Sequence, residues 1–237
     1  MIPLRDLNRI RRFPAITILL IAVNVAVFLY QTTLDRQIYL SLVRSAGLIP
    51  FQATHHPDIG VARDFLTSMF LHGGWFHLLS NMLYLWIFGA NVEDAMGSLR
   101  FLGFYLVCGV LASLALVVTQ PETSVPTLGA SGAIAGVLGA YLVLFPGARV
   151  QTLVFFVYFI RIIEVRAVVV LGIWILLQIL YGLSAARLPG GGGIAYAAHV
   201  GGFLVGAVAA TFFRVSQRKR MPKLDTISDE QSNRTWE

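Results

Sequence analysis

Four side chains able to do acyl-transfer chemistry sit in stretches that are otherwise apolar: Ser131, His199, His77 and Asn81. Ionisable groups in such stretches are costly and mark functional sites. A serine hydroxyl is a weak nucleophile until a base within hydrogen-bond reach takes its proton, and histidine is the usual base at neutral pH. His77 and Asn81 are spaced i and i+4, hence stacked on one helix face, where both can donate to a developing oxyanion. His199, Gly202 and Gly206 share one stripe, and Ser131, Ala135 and Gly139 form another made of small residues. Such stripes let helix backbones touch, and packing these two together carries the Ser131 hydroxyl towards the His199 ring. Each residue also has a plainer use. Ser131 can bond its own i−4 carbonyl, Asn81 can join two helices, and His72, just before Gly73-Gly74-Trp75, can sit at a membrane boundary.

No Asp or Glu lies beside these residues. Glu93 and Asp94 follow the second apolar segment, and Asp58, Asp64 and Glu122 fall in connecting loops. The expectation is therefore a Ser–His dyad, with no triad and no cofactor. A zinc site from His72, His77 and His199 lacks an acidic or thiolate ligand of suitable spacing, and the single cysteine, Cys108, supplies neither a zinc-binding set nor a disulfide. No metal is expected.

The elements that must position this chemistry are membrane spans. Of 237 residues, 57% are hydrophobic and 13% charged, against about 45–50% and 25% in soluble domains. The charges crowd the two ends, leaving apolar runs of roughly 17–20 residues, the length that crosses a bilayer. The net charge of +6 flanks these runs and forms no patch of its own, so nucleic acid is not an expected partner. Six spans are predicted: Pro14 to Tyr30, about Phe65 to Phe88, Phe101 to Val118, Leu128 to Phe145, Ala167 to Leu183, and Ile194 to Phe213, entered through Gly190–Gly193. The first follows Arg5, Arg9, Arg11 and Arg12 without a small-x-small cleavage site and reads as an uncleaved signal anchor. Val150 to Ile163 is too short between Arg149 and Arg161 to cross, and suits an interfacial or re-entrant piece.

With a cytoplasmic N-terminus, fourteen of the 18 Lys and Arg fall on the cytoplasmic side, leaving Arg36, Arg44, Arg63 and Arg187 opposite, as positive-inside topology requires. The expected fold is all-α: a polytopic six-helix bundle over residues 14–213, a basic N-terminus over 1–13, and a disordered cytoplasmic tail over 214–237. Both termini are cytoplasmic and the site lies in the outer half of the cell membrane. A long external loop from about Gln31 to Asp64 shapes access to it. No internal repeat suggests an inverted-repeat transporter.

Three motifs in order, His72-x4-His77-x3-Asn81, Gly129-Ala130-Ser131-Gly132 and Ala198-His199-x2-Gly202-x3-Gly206, make the chain resemble the rhomboid family of intramembrane serine proteases. Gly89-x3-Glu93-x3-Gly97 is similar to that family's turn after the second span. The resemblance implies Ser131 as nucleophile and His199 as general base. It also implies an oxyanion hole of His77, Asn81 and the Ser131 amide, with Gly129 shaping the turn and His72 supporting the site. The small residues Gly132, Gly202 and Gly206 belong to the same motifs. The implied activity is hydrolysis of peptide bonds in or near transmembrane segments of other membrane proteins, within the lipid bilayer. Two positions depart from relatives: Ala135 replaces an aromatic that stacks on the catalytic histidine, and Arg63-Asp64 stands where many have Trp-Arg. The rival readings are a non-catalytic rhomboid-like protein that binds membrane helices and a proton-coupled channel with His77 and His199 as relays.

Overall fold

The computed structural model describes residues 1–156, 159–185 and 195–220. A short strand, β1 (Ile2–Asp6), leads to α1 (Ala15–Thr33). The segment that follows is itself helical, as α2 (Arg36–Ala46), α3 (Pro50–His55) and α4 (Ile59–Thr67), the last capped by Asp58, whose carboxylate accepts from Val61 N. After a 3₁₀ turn, Ser68–Phe70, the chain runs extended to Gly74 and then enters α5 (Trp75–Tyr84). A π-helical turn, Leu85–Gly89, carries it without a break into α6 (Ala90–Met96). Gly97, at φ 83°, supplies the left-handed corner that a residue with a Cβ would resist, and α7 (Ser98–Thr119) leaves from it. Then come α8 (Ser131–Leu144), β2 (Arg149–Phe156), β3 (Phe159–Arg166), α9 (Ala167–Ala185) and α10 (Tyr196–Arg220).

Among the described residues, four helices are long and apolar enough to cross a membrane: Ala15–Thr33, Ser98–Thr119, Ala167–Ala185 and Tyr196–Arg214. The second and fourth expected spans take shorter forms. The second begins at Trp75, not Phe65, because Gly73-Gly74 breaks the helix and residues 59–67 form the separate α4. The fourth is the 14-residue α8. The sixth expected span is α10, which continues to Arg220, into residues expected to form a tail. Gly190–Gly193, Arg187 and the tail beyond Arg220 lie outside the described residues.

The fold is mostly helical but not all-α. Val150 to Ile163 lies in an antiparallel hairpin of β2 and β3, and β1 pairs with the other edge of β2 through Ile2↔Leu153 and Asp6↔Val150. A continuous apolar run of β-branched and aromatic residues fits a strand as readily as a membrane segment, and pairing between residues 2–6 and 150–153 is invisible to local periodicity. Arg149 faces Arg166 and Ala167 N donates to Ala148 O at 2.9 Å, so the chain leaves and returns at one level.

Among the described residues, Tyr105, Tyr141, Phe88 and Phe101 are the bulkiest fully buried ones and fill the bundle at its hairpin end. There Glu93, 2% exposed, accepts from Ile16 N (3.0 Å), Thr17 N (2.8 Å), Thr17 Oγ1 (2.8 Å) and Ser98 Oγ (2.7 Å). The N–H groups opening a helix have no partner within it, and a negative charge there opposes the positive end of the dipole. Glu93 thus fastens the start of α1 to the start of α7. Asp94 adds bonds from Arg11 N and Arg12 N, both at 3.0 Å. Asp6 accepts from Asn91 Nδ2 at 2.6 Å, and burial pushes its carboxyl above the usual carboxylate range. Glu93→Ala should cost about 3 kcal/mol, since charged hydrogen bonds are lost and donors are left buried. Thermal unfolding in detergent measures this, and an unchanged midpoint would remove Glu93 from its structural role.

Candidate active site

The site is built where α8 starts. Gly129 has φ 122°, a conformation open to glycine alone at little cost. A Cβ there would also come within 2.7 Å of His77 Nε2. Its N–H donates to Ser68 O at 2.9 Å, pinning the turn to the 3₁₀ segment. Two residues later Ser131 opens α8, which has no side-chain cap, so the first N–H groups of that helix are left for other acceptors.

α10 meets α8 backbone to backbone. A Cβ on Gly202 would strike the Gly132 carbonyl, one on Gly206 the Gly136 carbonyl, and one on Gly139 the Phe203 carbonyl. The facing stripe on α8 is therefore Gly132–Gly136–Gly139; it shares Gly139 with the expected Ser131–Ala135–Gly139 and lies one residue later at the first two positions, because Ser131 sits at the edge of the contact and turns its hydroxyl to the ring. The result is a hydrogen bond of 2.7 Å between Ser131 Oγ and His199 Nε2. On its other side, His199 Nδ1 lies 2.8 Å from Gln178 Oε1 of α9. The Trp174 ring, one turn earlier on α9, is tilted over the imidazole at 6.0 Å and 38°. Ala135 itself is fully buried, and the contacts to the His199 ring come from these two residues of α9. Neither was singled out from the sequence, although Gln178 is the one amide between Ala167 and Leu183 and lies i+4 from Trp174, a spacing that puts both on one face.

His77 and Asn81 flank Gly129; Asn81 Nδ2 would lie 3.6 Å from a Cβ there. Among the described residues neither is bonded to Ser131. Asn81, 6% exposed, instead meets His72 Nε2 at 3.0 Å. His72 lies just ahead of the Gly73-Gly74 break where α5 begins. It is fully buried, edge-on to His77 at 5.1 Å, and its backbone is gripped from both sides by Gln31: His72 N donates to Oε1 at 3.0 Å and Nε2 donates to His72 O at 3.1 Å. Gln31, at the end of α1, was read only as a loop boundary; an amide closing an apolar span was the available signal. The loop is anchored despite lacking Trp-Arg: Arg63 donates to Ser45 O and to Asp64 Oδ1, and Thr67 Oγ1 to Ala46 O.

The carboxylates have other uses. Asp58 caps α4, Asp64 pairs with Arg63 at 3.0 Å, Glu122 lies 3.1 Å from His55, and Glu93 and Asp94 hold the start of α1. Among the described residues no three of His, Cys, Asp and Glu are grouped so as to hold a metal ion. A cavity of about 20 Å³ adjoins Ser131, lined partly by Ser68, Ser113 and Thr127, enough for one water.

The sequence is similar to known proteins. A model of the Rhomboid domain matches residues 60–216. The chain belongs to the rhomboid family. It is 36% identical to "Rhomboid protease GluP" of Bacillus subtilis over 145 residues, covering 61% of this chain and 25% of that protein. It is 31% identical to "Rhomboid protein 1, mitochondrial" of Saccharomyces cerevisiae over 160 residues, 65% of this chain and 42% of the other. "Rhomboid-like protease 5" of Toxoplasma gondii is 48% identical over 77 residues, 31% of this chain and 8% of its own. The chain thus spans less than half the length of these relatives. It is a multi-pass integral membrane protein of this family, with Ser131, Gly132 and Gly136 inside the matched region.

The α8–α10 contact makes a direct prediction. Gly206→Ala should destabilise the protein by roughly 1–3 kcal/mol through overpacking, whereas Gly172→Ala, with nothing within 4 Å, should not. Thermal midpoints in detergent compare them, and equal midpoints would mean the backbones are not in contact.

Proposed function

We propose that the chain is an intramembrane serine endopeptidase that cleaves membrane-protein substrates through a Ser131–His199 dyad. The observation that carries this is the 2.7 Å contact between Ser131 Oγ and His199 Nε2, within proton-transfer range. His199 takes the Ser131 proton as the hydroxyl attacks a substrate carbonyl, then returns it to the leaving amine. The tetrahedral oxyanion is met by the Ser131 N–H at the uncapped start of α8, and by His77 and Asn81 beside Gly129. With His72 as its partner, Asn81 keeps one amide proton for that oxygen. Water, of which the small cavity beside Ser131 has room for one, then hydrolyses the acyl-enzyme with His199 as base. Helical substrates hide their carbonyls, so segments that unwind easily, rich in Gly or Pro, are the expected targets. The protease names borne by relatives support the reading.

In this reading the chain crosses six times and the site lies inside the bilayer, which the four long apolar helices support. α8 has 14 residues and rises about 21 Å at ~1.5 Å per residue, some 9 Å less than the ~30 Å hydrocarbon core. With its C-terminus at the cytoplasmic boundary, Ser131 sits below the outer surface. Both termini face the cytoplasm, and the cell membrane is the expected location.

Ser131→Ala and His199→Ala should each abolish cleavage of a tagged single-span substrate, and the double variant should be no worse than either, since members of one catalytic unit are not additive. A fluorophosphonate probe should label wild type at Ser131. Substantial proteolysis by Ser131→Ala would end the proposal. Reporters active on one side of the membrane, fused after Gly147, Arg166, Gly191 and Arg220, should read cytoplasmic, cytoplasmic, external and cytoplasmic. An external reading at Arg166 would overturn the topology.

A further inference from the structure

We infer that Gln178 is a positioning residue for His199, an uncharged stand-in for the carboxylate that completes a serine triad. The inference rests on the serine–histidine reading above and goes beyond it by naming the group that selects the tautomer. A neutral imidazole carries its proton on one nitrogen, and the partner of the other nitrogen decides which. With Nδ1–H donated to Gln178 Oε1 at 2.8 Å, the Nε2 lone pair is turned to Ser131 Oγ, 2.7 Å away. That is the one neutral form in which His199 can accept the serine proton.

The setting explains why an amide suits the position. α9 is the least buried of the long spans, at 17%, and Leu176, Leu177, Ile179 and Leu180 around Gln178 are exposed, as lipid-facing residues are. A polar side chain on such a helix is costly unless hydrogen-bonded, and His199 is the partner it finds. A carboxylate there would carry its own charge into the span before the imidazolium formed to balance it. Gln178 offers an acceptor without that charge. Trp174, on the same face of α9 and tilted over the ring at 6.0 Å, limits how far the imidazole can swing. Gly182 lies close to Tyr196, so α9 is held against α10 one turn beyond Gln178.

A glutamine amide can present its oxygen or its nitrogen. Were the nitrogen to face Nδ1, the ring proton would sit on Nε2, point at Ser131 Oγ and leave His199 unable to act as base. A glutamate can only accept. Gln178→Leu and Gln178→Glu therefore separate positioning from packing: packing tolerates the apolar leucine and suffers from the charge, while positioning does the reverse.

The experiment uses the full chain reconstituted in bilayers with ¹⁵N-labelled histidine, His199 being assigned by difference from His199→Ala. Wild type and Gln178→Glu should show His199 protonated at Nδ1, and Gln178→Leu should lose that preference. In cleavage assays Gln178→Leu should lower kcat by roughly 10–10²-fold with KM little changed. The loss is smaller than the ~10⁴ seen when a triad aspartate is replaced, because the group removed is neutral. Gln178→Glu should restore kcat to within about tenfold of wild type. An unchanged tautomer in Gln178→Leu, or wild-type kcat in that variant, would overturn the inference. If wild type neither cleaves nor labels at Ser131, the protease reading fails, while the ¹⁵N signals still decide whether Gln178 sets the tautomer.

Discussion

The close approach of α8 and α10 is the constraint on which the site depends. Lipid tails are as apolar as leucine, so no hydrophobic drive pulls membrane helices together, and packing between backbones takes its place. Gly132, Gly136 and Gly139 on one helix meet Gly202, Phe203 and Gly206 on the other with no room for a side chain between them. Contacts this tight admit a single register. That register sets Ser131 and His199 at hydrogen-bonding distance, and a shift of one residue along either helix would turn one of them away.

A second constraint is that polar groups in an apolar medium must find partners. The structure meets it with short relays. Gln31 clamps the His72 backbone, and His72 meets Asn81. Gln178 meets His199, which meets Ser131. At the other end Glu93 gathers the open N–H groups of α1 and the Ser98 hydroxyl. Each relay joins helices that are far apart in sequence, so the groups that serve the chemistry also tie the bundle. The two ends of the bundle differ accordingly: one is closed by aromatic packing and a carboxylate cap, while the other holds the uncapped start of α8 and the small cavity beside Ser131.

The three-stranded sheet fits the same economy. It returns the chain from α8 to α9 at one level, which keeps α9 beside α10, and it draws the N-terminal strand against the bundle through β2 and the Asp6–Asn91 bond.

Residue types and spacing were enough to reveal a membrane protein, six expected spans of which four are long apolar helices, the Ser131 and His199 side chains that the structure brings together, and the rhomboid resemblance to which the family match corresponds. All of these are carried by local hydropathy or by short motifs. The start of α5, the second expected span, at Trp75 was missed because apolar residues on both sides of Gly73-Gly74 hide the break. The hairpin was missed because strand pairing joins residues 2–6 to residues 150–153, and hydropathy treats an apolar strand and a short interfacial or re-entrant segment alike. Ala135 raised the question of how His199 is held, and only the tertiary structure supplied Trp174 and Gln178. An isolated amide in an apolar helix does not say which neighbour it faces. That is decided by how α9 rotates and packs against α10, through contacts between residues that the chain keeps apart and folding brings together.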